Sequence, residues 1–347
     1  MRFRVSPIAF CSSFLALSGA FPTPNISGPT KIPLPDRIVY QFPNLAWIEN
    51  IAVRSNGDLI LTQLTPKAAV FAIEKPASSS PQIQLVNEFP ADVEGLTGIV
   101  ETTPDTFVFT GGNLHTGEYF AWSVDFNRRP HPVVKQIVQL VDVGLPNGLC
   151  TLPWLNHVVL ISDSSLGQVW RLNTHTGNFD VAVKVPEMTP VQQGGSGAAA
   201  TGVNGITIFK GWLYWTNSAA KTIYRLKITR DGSIARGAKV EVVAKLDVGF
   251  VDDFAIDLER GIIFVTTGLD NRVWAVDVHP GGKAPVLVVG ATNQLTVAGS
   301  TSAVFGRTSR DRKVLYVTTS GALSAPVNGT LAEPGKVVGV DTKGFHL

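Results

Sequence analysis

The chain has 347 residues and a formal net charge of +2, with 44% hydrophobic and only 16% charged residues. Typical soluble domains carry about 25% charged residues, so this composition, with 33 Gly and 22 Pro, favours short strands joined by turns over long surface helices. The near-neutral charge gives no basic footprint for nucleic acid, and no segment after the N-terminus is predicted to span a membrane.

The N-terminal segment has a basic start, an apolar stretch and small residues before Phe21. This pattern is typical of a secretory signal peptide, and it predicts residues 1–20 as the signal, with cleavage after Ala20. Loss of Arg2 and Arg4 leaves 27 basic and 27 acidic residues, so the mature chain is formally neutral. A short extension, residues 21–36, follows.

The rest of the chain supports the secretory pathway as its location. Asn25 and Asn328 each open an Asn-x-Ser/Thr sequon, the acceptor pattern for N-glycosylation. Cys11 lies in the predicted signal, so only Cys150 remains and no internal disulfide is expected.

An isolated strand signal, "RIVYQF" from Arg37 to Phe42, precedes six similar units of about fifty residues. Each unit opens on a polar residue, which is followed by two apolar strands joined by a turn, and then by a third strand. Five units have a fourth strand, such as "IQLVNEF", and the sixth has none. The opening residues are Glu49, Thr97, Asn147, Asn204, Asp252 and Thr301.

Six four-stranded units at this period predict an all-β fold, a six-bladed β-propeller that occupies residues 37–347 as one domain. The strand missing from the sixth unit is supplied by "RIVYQF". Such a strand completes the last blade and removes the exposed edges that an open ring would leave.

The first strand of each propeller blade lines the central channel, so the six opening residues are predicted to form a ring near one mouth. Glu49, Asn147, Asn204 and Asp252 would bring two carboxylates and two amides together, an oxygen set suited to Ca²⁺, Mg²⁺ or Mn²⁺. No organic cofactor is expected. A simpler interpretation stays open, since Asn and Asp are common turn residues before strands and a polar channel needs no metal.

The unit pattern resembles the SMP-30/gluconolactonase/strictosidine-synthase-like propellers over almost the whole mature chain. "WIENIAV", "PNGLC", "VNGIT" and "VDDFAID" match the blade openings at which gluconolactonase-type members hold a divalent metal. The resemblance therefore implies a metal site at Glu49, Asn147, Asn204 and Asp252. The chain departs from the family in having "ENI" for "EGP" and "DD" for "DG", so Asp253 replaces a glycine.

The style of "WIENIAVRSNGDLILTQL" is more similar to fungal secretory-pathway members. These act in natural-product pathways and include hetero-Diels–Alderases that join a tropolone-derived quinone methide to a humulene-type sesquiterpene. The first hypothesis is such a cyclase with small apolar substrates, and the alternative is a metal-dependent lactonase. Asp252 and Glu49 are the candidate acid–base residues in either. A secreted, non-catalytic binding propeller is the third hypothesis.

Other residues are placed near the mouth by the same register. Trp47 is expected to form a cavity wall, and Thr97, Thr301, Asp253 and His115 are candidate substrate contacts. The long loop from Pro186 to Gly202 is either a lid or a tolerated surface insertion. Cys150 lies inside an apolar strand and is expected to be a buried hydrophobe and not a nucleophile.

Overall fold

The computed structural model describes residues 31–128, 130–191 and 201–347. Its regular structure is almost entirely β, and the helical content of these residues is one 3₁₀ turn, Pro186–Met188. None of the helices within these ranges has the length and apolarity to span a membrane. The predicted signal peptide, its cleavage site and the Asn25 sequon fall outside the described residues, while Asn328 is exposed.

The strands are numbered in chain order, and each blade is an antiparallel sheet of four. An N-terminal strand, β1 (Asp36–Gln41), precedes the blades. Blade one contains β2 (Trp47–Val53), β3 (Leu59–Thr65), β4 (Ala69–Glu74) and β5 (Gln82–Glu88). Blade two contains β6 (Gly95–Thr103), β7 (Thr106–Asn113), β8 (Glu118–Asp125) and β9 (Val133–Leu140). Blade three contains β10 (Pro146–Leu152), β11 (Leu155–Asp163), β12 (Gln168–Asn173) and β13 (Phe179–Val183).

The second half of the chain repeats this arrangement. Blade four contains β14 (Val203–Phe209), β15 (Trp212–Asn217), β16 (Thr222–Lys227) and β17 (Glu241–Lys245). Blade five contains β18 (Phe254–Asp257), β19 (Ile262–Thr267), β20 (Arg272–Asp277) and β21 (Val286–Gly290). Blade six contains β22 (Ser300–Phe305), β23 (Val314–Thr319), β24 (Lys336–Asp341) and the N-terminal β1.

The N-terminal strand closes the ring as predicted. β1 pairs antiparallel with β24, and its register joins Asp36 to Val340 and Gln41 to Lys336. The sixth blade thus combines the two ends of the chain, so separating the first blade from the last would require removing β1 from its sheet. The six-bladed propeller with an N-terminal closing strand is confirmed.

The core of the protein is divided into six main clusters, one between each pair of neighbouring blades. Successive side chains of a strand point to opposite faces of its sheet. Each blade therefore contributes alternate residues to two clusters: Leu149 packs against blade two and Cys150 against blade four. This explains why the inner strands read as continuous apolar runs: both of their faces are buried.

A β-bulge recurs at the channel end of each first strand. In every blade the ring residue and its successor lie opposite a single hydroxyl residue of the second strand. The six hydroxyl residues are Thr62, Thr110, Ser162, Thr216, Thr266 and Thr318. Four of them also donate a hydrogen bond to the main-chain oxygen of the next blade's ring residue, over 2.5–2.9 Å. Bulges re-aim side chains and increase local twist, so this repeated bulge orients the ring and fastens neighbouring blades together.

Candidate functional site

All six predicted ring residues line one cavity of about 580 Å³ at the mouth of the channel. They come from six first-strand segments separated by about fifty residues, and the β-bulges turn them toward this space. The members are Glu49, Thr97, Asn147, Asn204, Asp252 and Thr301. Every one of them is at most 9% exposed, so the floor of the cavity is polar and also largely shielded from solvent.

Glu49 is held by the tryptophan that precedes it by two residues. Trp47 Nε1 donates to Glu49 Oε2 over 2.5 Å, and the tryptophan itself lines the cavity. Burial raises the pKa of Glu49 to about 7, against the lowering effect of the Trp47 hydrogen bond, and the charge of Asp253 raises it further. A carboxyl group in this state is proton-accepting and proton-donating near neutral pH.

Asp252 faces Glu49 across the same floor. Burial pushes the pKa of Asp252 well above its ordinary value, and the charges of Glu49 and Asp253 add to this effect. Asn204 Nδ2 donates to Asp252 Oδ1 over 2.8 Å and to Ser218 Oγ over 3.0 Å. The two carboxyl groups therefore disfavour each other's ionised form, as expected for acids that share a poorly solvated site.

Within the described part of the chain, some acceptor oxygens of the floor have no hydrogen-bond partner. Asn204 Oδ1 is buried and unpaired. Among the described residues, Asn147 makes no side-chain hydrogen bond, although it is only 8% exposed. Asp252 and Glu49 each use one carboxylate oxygen for the contacts above. Buried polar groups are normally paired, so these four residues fit a hard cation, which would take amide and carboxylate oxygens together.

Only two of these four floor residues, Glu49 and Asp252, can carry a negative charge. The described residues contain no group of three or more His, Cys, Asp or Glu side chains arranged for a metal. A cation at the floor would have two carboxylates and two neutral amides as its protein ligands.

The rim above the floor is apolar. Leucines and an aromatic ring from the end of β3 and from four loops line it, together with Trp47 and Tyr119: Leu64, Leu114, Leu145, Phe250 and Leu269. Leu114 is 39% and Leu269 44% exposed, an exposure that puts apolar surface at the entrance. A cavity with an apolar wall and a few convergent polar groups is typical of small-molecule sites.

Two predicted substrate contacts do not line the cavity. Asp253 follows the ring position and its Oδ2 accepts from Asn50 Nδ2 (3.0 Å) and Ser302 Oγ (2.9 Å), so it joins blades five, six and one. His115 faces outward because Asn113 Oδ1 accepts the main-chain N–H of His115 and turns the loop. The His115 ring then pairs with Glu94 over 2.7 Å, and its side chain is 87% exposed.

Tyr119 lines the cavity wall where His115 was expected, and it was not among the predicted site residues. The signal available was strand register: Tyr119 lies at the mouth end of β8, whereas His115 lies in the turn before it. The rim leucines were also missed, because single leucines in loops or at the end of a strand have no distinguishing pattern.

The predicted lid is described only at its ends. Residues 192–200 lie outside the described part of the chain. At the first end, Asn217 Nδ2 donates to the main-chain oxygens of Glu187 (3.0 Å) and Thr189 (2.9 Å). At the second end, Thr201 lines the cavity. Thr201 therefore lies beside the site, and the segment Glu187–Thr189 is held by Asn217.

Cys150 is buried in the cluster between blades three and four. Burial, together with the charge of Asp253, raises the pKa of its thiol far above the ordinary value. A thiol in this environment is not a nucleophile.

Comparison with solved structures defines the class of fold. The model aligns with regucalcin from Agrobacterium tumefaciens (TM-score 0.60, 13% identity, 91% of this chain and 97% of that one). It also aligns with a luciferin-regenerating enzyme (TM-score 0.63, 14% identity, 90% and 98%). A gluconolactonase from Xanthomonas campestris gives a TM-score of 0.58 at 12% identity, with 88% and 89% covered. These likenesses show the class of fold, a β-propeller similar to those of these proteins.

Sequence comparison narrows this class. No protein-family model matches the chain. A protein of Sarocladium schorii is 32% identical over 346 residues, with 91% of this chain and 85% of the relative covered. A protein of a Phoma species is 32% identical over 343 residues, with 92% and 95% covered. Both are named "Putative hetero-Diels-Alderase", the first with the designation asR5. The chain belongs to this hetero-Diels–Alderase family and is an enzyme.

Proposed function

We propose that the protein is a hetero-Diels–Alderase that joins a tropolone-type quinone methide to a humulene-type terpene in the channel-mouth cavity. The observation that carries this proposal is the polar floor beneath an apolar rim in a single cavity of about 580 Å³. Family membership supports the reaction type, and the two named relatives are similar to this chain over more than nine-tenths of its length. The non-catalytic binding hypothesis has no such support.

The rim would bind the terpene. Leu64, Leu114, Leu145 and Leu269 offer side chains without hydrogen-bonding groups, which suits a polyene that has none either. Holding two reactants at reacting distance is worth about 7–11 kcal/mol in well-oriented systems. Because a cycloaddition moves no proton in its bond-forming step, confinement of this kind would supply most of the acceleration.

The floor would bind the oxygen end of the heterodiene. The Asn147 amide is unpaired among the described residues and lines the cavity, so its N–H can donate to the heterodiene oxygen. A preorganised donor in a site shielded from water polarises that oxygen at no reorganisation cost. The polar floor and the apolar rim would also orient the substrates, since the reacting oxygen binds at the floor and the hydrocarbon at the rim.

Asp252 and Glu49 would serve the step that precedes cycloaddition. If the quinone methide forms here by dehydration, one carboxyl donates a proton to the leaving hydroxyl as the carbon–oxygen bond breaks. The other carboxylate accepts the proton lost from the ring hydroxyl, and water leaves. Asp252 and Glu49 both line the cavity on separate blades, as this pair of roles requires.

We also propose one divalent cation, Ca²⁺, Mg²⁺ or Mn²⁺, at the floor. Glu49, Asn147, Asn204 and Asp252 would hold it, and the unpaired Asn204 Oδ1 is the observation in favour. When bound, the cation would supply Lewis-acid polarisation of a substrate oxygen.

The test is a reaction of purified protein with a tropolone-derived quinone methide, generated in situ, and humulene, followed by chiral chromatography with mass detection. The expected result is a faster reaction and one dominant stereoisomer, with and without chelator in parallel. The proposal fails if rate and stereochemistry both equal those in buffer.

A second candidate function is a metal-dependent lactonase, which the four oxygen-bearing floor residues favour. It predicts hydrolysis of an aldonolactone that chelation abolishes and Mn²⁺ or Ca²⁺ restores. The apolar rim argues against sugar lactones, and the same chelator experiment with gluconolactone distinguishes the two functions.

Passage through the secretory pathway, with loss of residues 1–20 and glycans on Asn25 and Asn328, is a further part of the proposal. The exposed position of Asn328 supports its accessibility. N-terminal sequencing of protein from a fungal host, and its mobility before and after glycosidase treatment, would test this.

A further inference from the structure

Tyr119 is a buried residue whose hydroxyl makes no hydrogen bond to the rest of the described chain. The residue is 3% exposed and lines the cavity, and no hydrogen bond from its hydroxyl is found among the described residues. The two other deeply buried tyrosines differ, since Tyr214 donates to Val278 O (3.3 Å) and Tyr316 donates to Asp311 Oδ2 (3.0 Å). A buried tyrosine usually places its hydroxyl on a partner, so Tyr119 is the exception that lies in the site.

The backbone fixes where Tyr119 stands. It pairs with Gly112 on β7 and with Leu140 on β9, so it is held from both sides of the sheet. A Cβ at Gly112 would lie 2.0 Å from Glu118 O and 2.8 Å from Tyr119 Cα, so only glycine permits this approach. The Tyr119 ring belongs to the cluster between blades two and three. The position of its hydroxyl is therefore fixed by the sheet and by the packing of the ring.

The phenol remains a donor. Burial raises the pKa of Tyr119, and the nearby charges of Asp163 and Glu94 raise it further. Asp163 itself is occupied, because it accepts hydrogen bonds from Trp170 Nε1 and from main-chain N–H groups including Gly144 and Leu145. An incoming ligand is thus the natural acceptor for the Tyr119 hydroxyl.

We infer that Tyr119 forms a second polar subsite in the cavity wall, which donates a hydrogen bond to an acceptor oxygen on the oxygenated substrate. This inference rests on the proposed function and deepens it. A bound carbonyl or ether oxygen would accept the hydrogen bond that this hydroxyl does not make to any described residue. Tyr119 is a substrate-positioning residue that makes no covalent contribution.

The geometry then defines the substrate class. The floor takes one oxygen of the ligand and the wall takes another, so the preferred heterodiene partner carries two oxygen functions on a compact ring. Leu114 and Leu145 line the same cavity as Tyr119 and would contact the apolar faces of the substrate ring. A hydrocarbon-only or mono-oxygenated ring would leave the wall hydroxyl unpaired.

Tyr119→Phe tests this directly, because it removes only the hydroxyl. Tyr224→Phe is the matched control: Tyr224 is half-buried, stacks on Trp215 and does not line the cavity. We expect Tyr119→Phe to raise KM about three- to tenfold with kcat changed less than threefold, which corresponds to one neutral hydrogen bond. Tyr224→Phe should leave both constants unchanged.

A substrate change provides the second arm. With the wild-type enzyme, a heterodiene that lacks the second oxygen should show a KM about three- to tenfold higher than that of the parent substrate. With Tyr119→Phe, loss of the same oxygen should raise KM no further. The inference is overturned if the two losses multiply, or if Tyr119→Phe handles the parent substrate as wild type does.

Binding and stability separate this inference from the proposed function. Calorimetry with tropolone itself as the probe should show weaker binding to Tyr119→Phe, by the same factor, even if no cycloaddition is observed with wild type. The thermal midpoint of the free Tyr119→Phe protein should equal or exceed that of wild type, since no intramolecular bond is lost. A lowered midpoint with unchanged tropolone affinity would show a structural hydroxyl and overturn the inference.

Discussion

Asn204 donates a hydrogen bond from Nδ2 to Asp252 Oδ1 over 2.8 Å, and this contact joins blades four and five on the floor of the cavity. The same amide leaves its Oδ1 buried and unpaired. One side chain thus fixes the orientation of a candidate catalytic carboxyl and also presents an oxygen toward whatever the floor binds.

The main chain at Asp252 is supported from the neighbouring blade by Thr216. Its hydroxyl donates to Asp252 O over 2.6 Å and accepts the main-chain N–H of Gly205 over 3.0 Å, with no solvent exposure. Thr216→Val should lower the free energy of unfolding by about 1–3 kcal/mol and reduce activity, because Asp252 loses its support. Thr216→Ser keeps the hydroxyl and should retain most of both. Urea unfolding measures the difference, and equal stability of wild type and Thr216→Val would contradict the assigned role.

Asp252→Asn should separate activity from stability. The amide oxygen can still accept from Asn204, while the repulsion with Glu49 disappears, so the thermal midpoint should hold or rise. Activity should fall about 100-fold or more if the carboxyl transfers a proton. Asp257→Asn, on the same blade but paired with Arg260 at the other end of β18, is the control and should lose stability and keep activity. Full activity of Asp252→Asn would remove it from the mechanism.

The buried acids predict a pH dependence of stability. Because the folded pKa of Glu49 is about 7 and its ordinary value is 4.5, the folded state retains a proton that the unfolded state releases. This stabilisation is complete below pH 4.5 and is lost as the pH rises through about 7. Asp252 acts in the same direction. Thermal midpoints of the metal-free protein should therefore fall from pH 5 to pH 8, with a shallower slope for Glu49→Gln.

Cation binding gives the complementary result. Added Ca²⁺, Mg²⁺ or Mn²⁺ should raise the midpoint most at pH 8, where both carboxylates are ionised, and little at pH 5. Equal slopes of thermal midpoint against pH for wild type and Glu49→Gln would contradict the buried-acid interpretation. No response of the midpoint to any of the three ions at pH 8 would contradict the cation interpretation.

Two substitutions of Asp253 should change two different properties, the pKa of Glu49 and the stability of the fold. Asp253→Asn keeps the acceptor for Ser302 while removing the negative charge that raises the pKa of Glu49. The midpoint of the Glu49 titration should move to lower pH. Asp253→Gly leaves Asn50 and Ser302 without their shared acceptor and should lower the free energy of unfolding by about 1–3 kcal/mol. Comparable stability of the two variants would show that the network contributes little.

Cys150 should be inert in the folded protein. Its thiol is buried between two blades with a raised pKa, so Ellman's reagent should react only after unfolding. Cys150→Ala should retain activity within about twofold, since the change removes only packing. Rapid modification of native protein, with loss of turnover, would reverse this assignment.

Much of the architecture followed from periodicity. Alternating apolar positions identified the strands, and the missing fourth strand of the last unit required "RIVYQF" to close the ring. Register then placed Glu49, Asn147, Asn204 and Asp252 at one level, because equivalent positions in repeated units lie at equivalent heights. Asp253 and His115 do not line the cavity, because nearness in sequence does not fix where a side chain points.

The sequence by itself determined the six blades, their closure and the ring, since these depend on a local pattern repeated at a constant interval. Tertiary structure alone decided the partners of Asn204 (Asp252) and of Asp253 (Asn50 and Ser302). It also placed Tyr119 in the wall, where its hydroxyl bonds no other described residue. These arrangements depend on residues far apart in the chain, on a bulge, and on the close main-chain approach that Gly112 permits beside Tyr119. Such distances arise only when neighbouring sheets pack, so no local pattern encodes them.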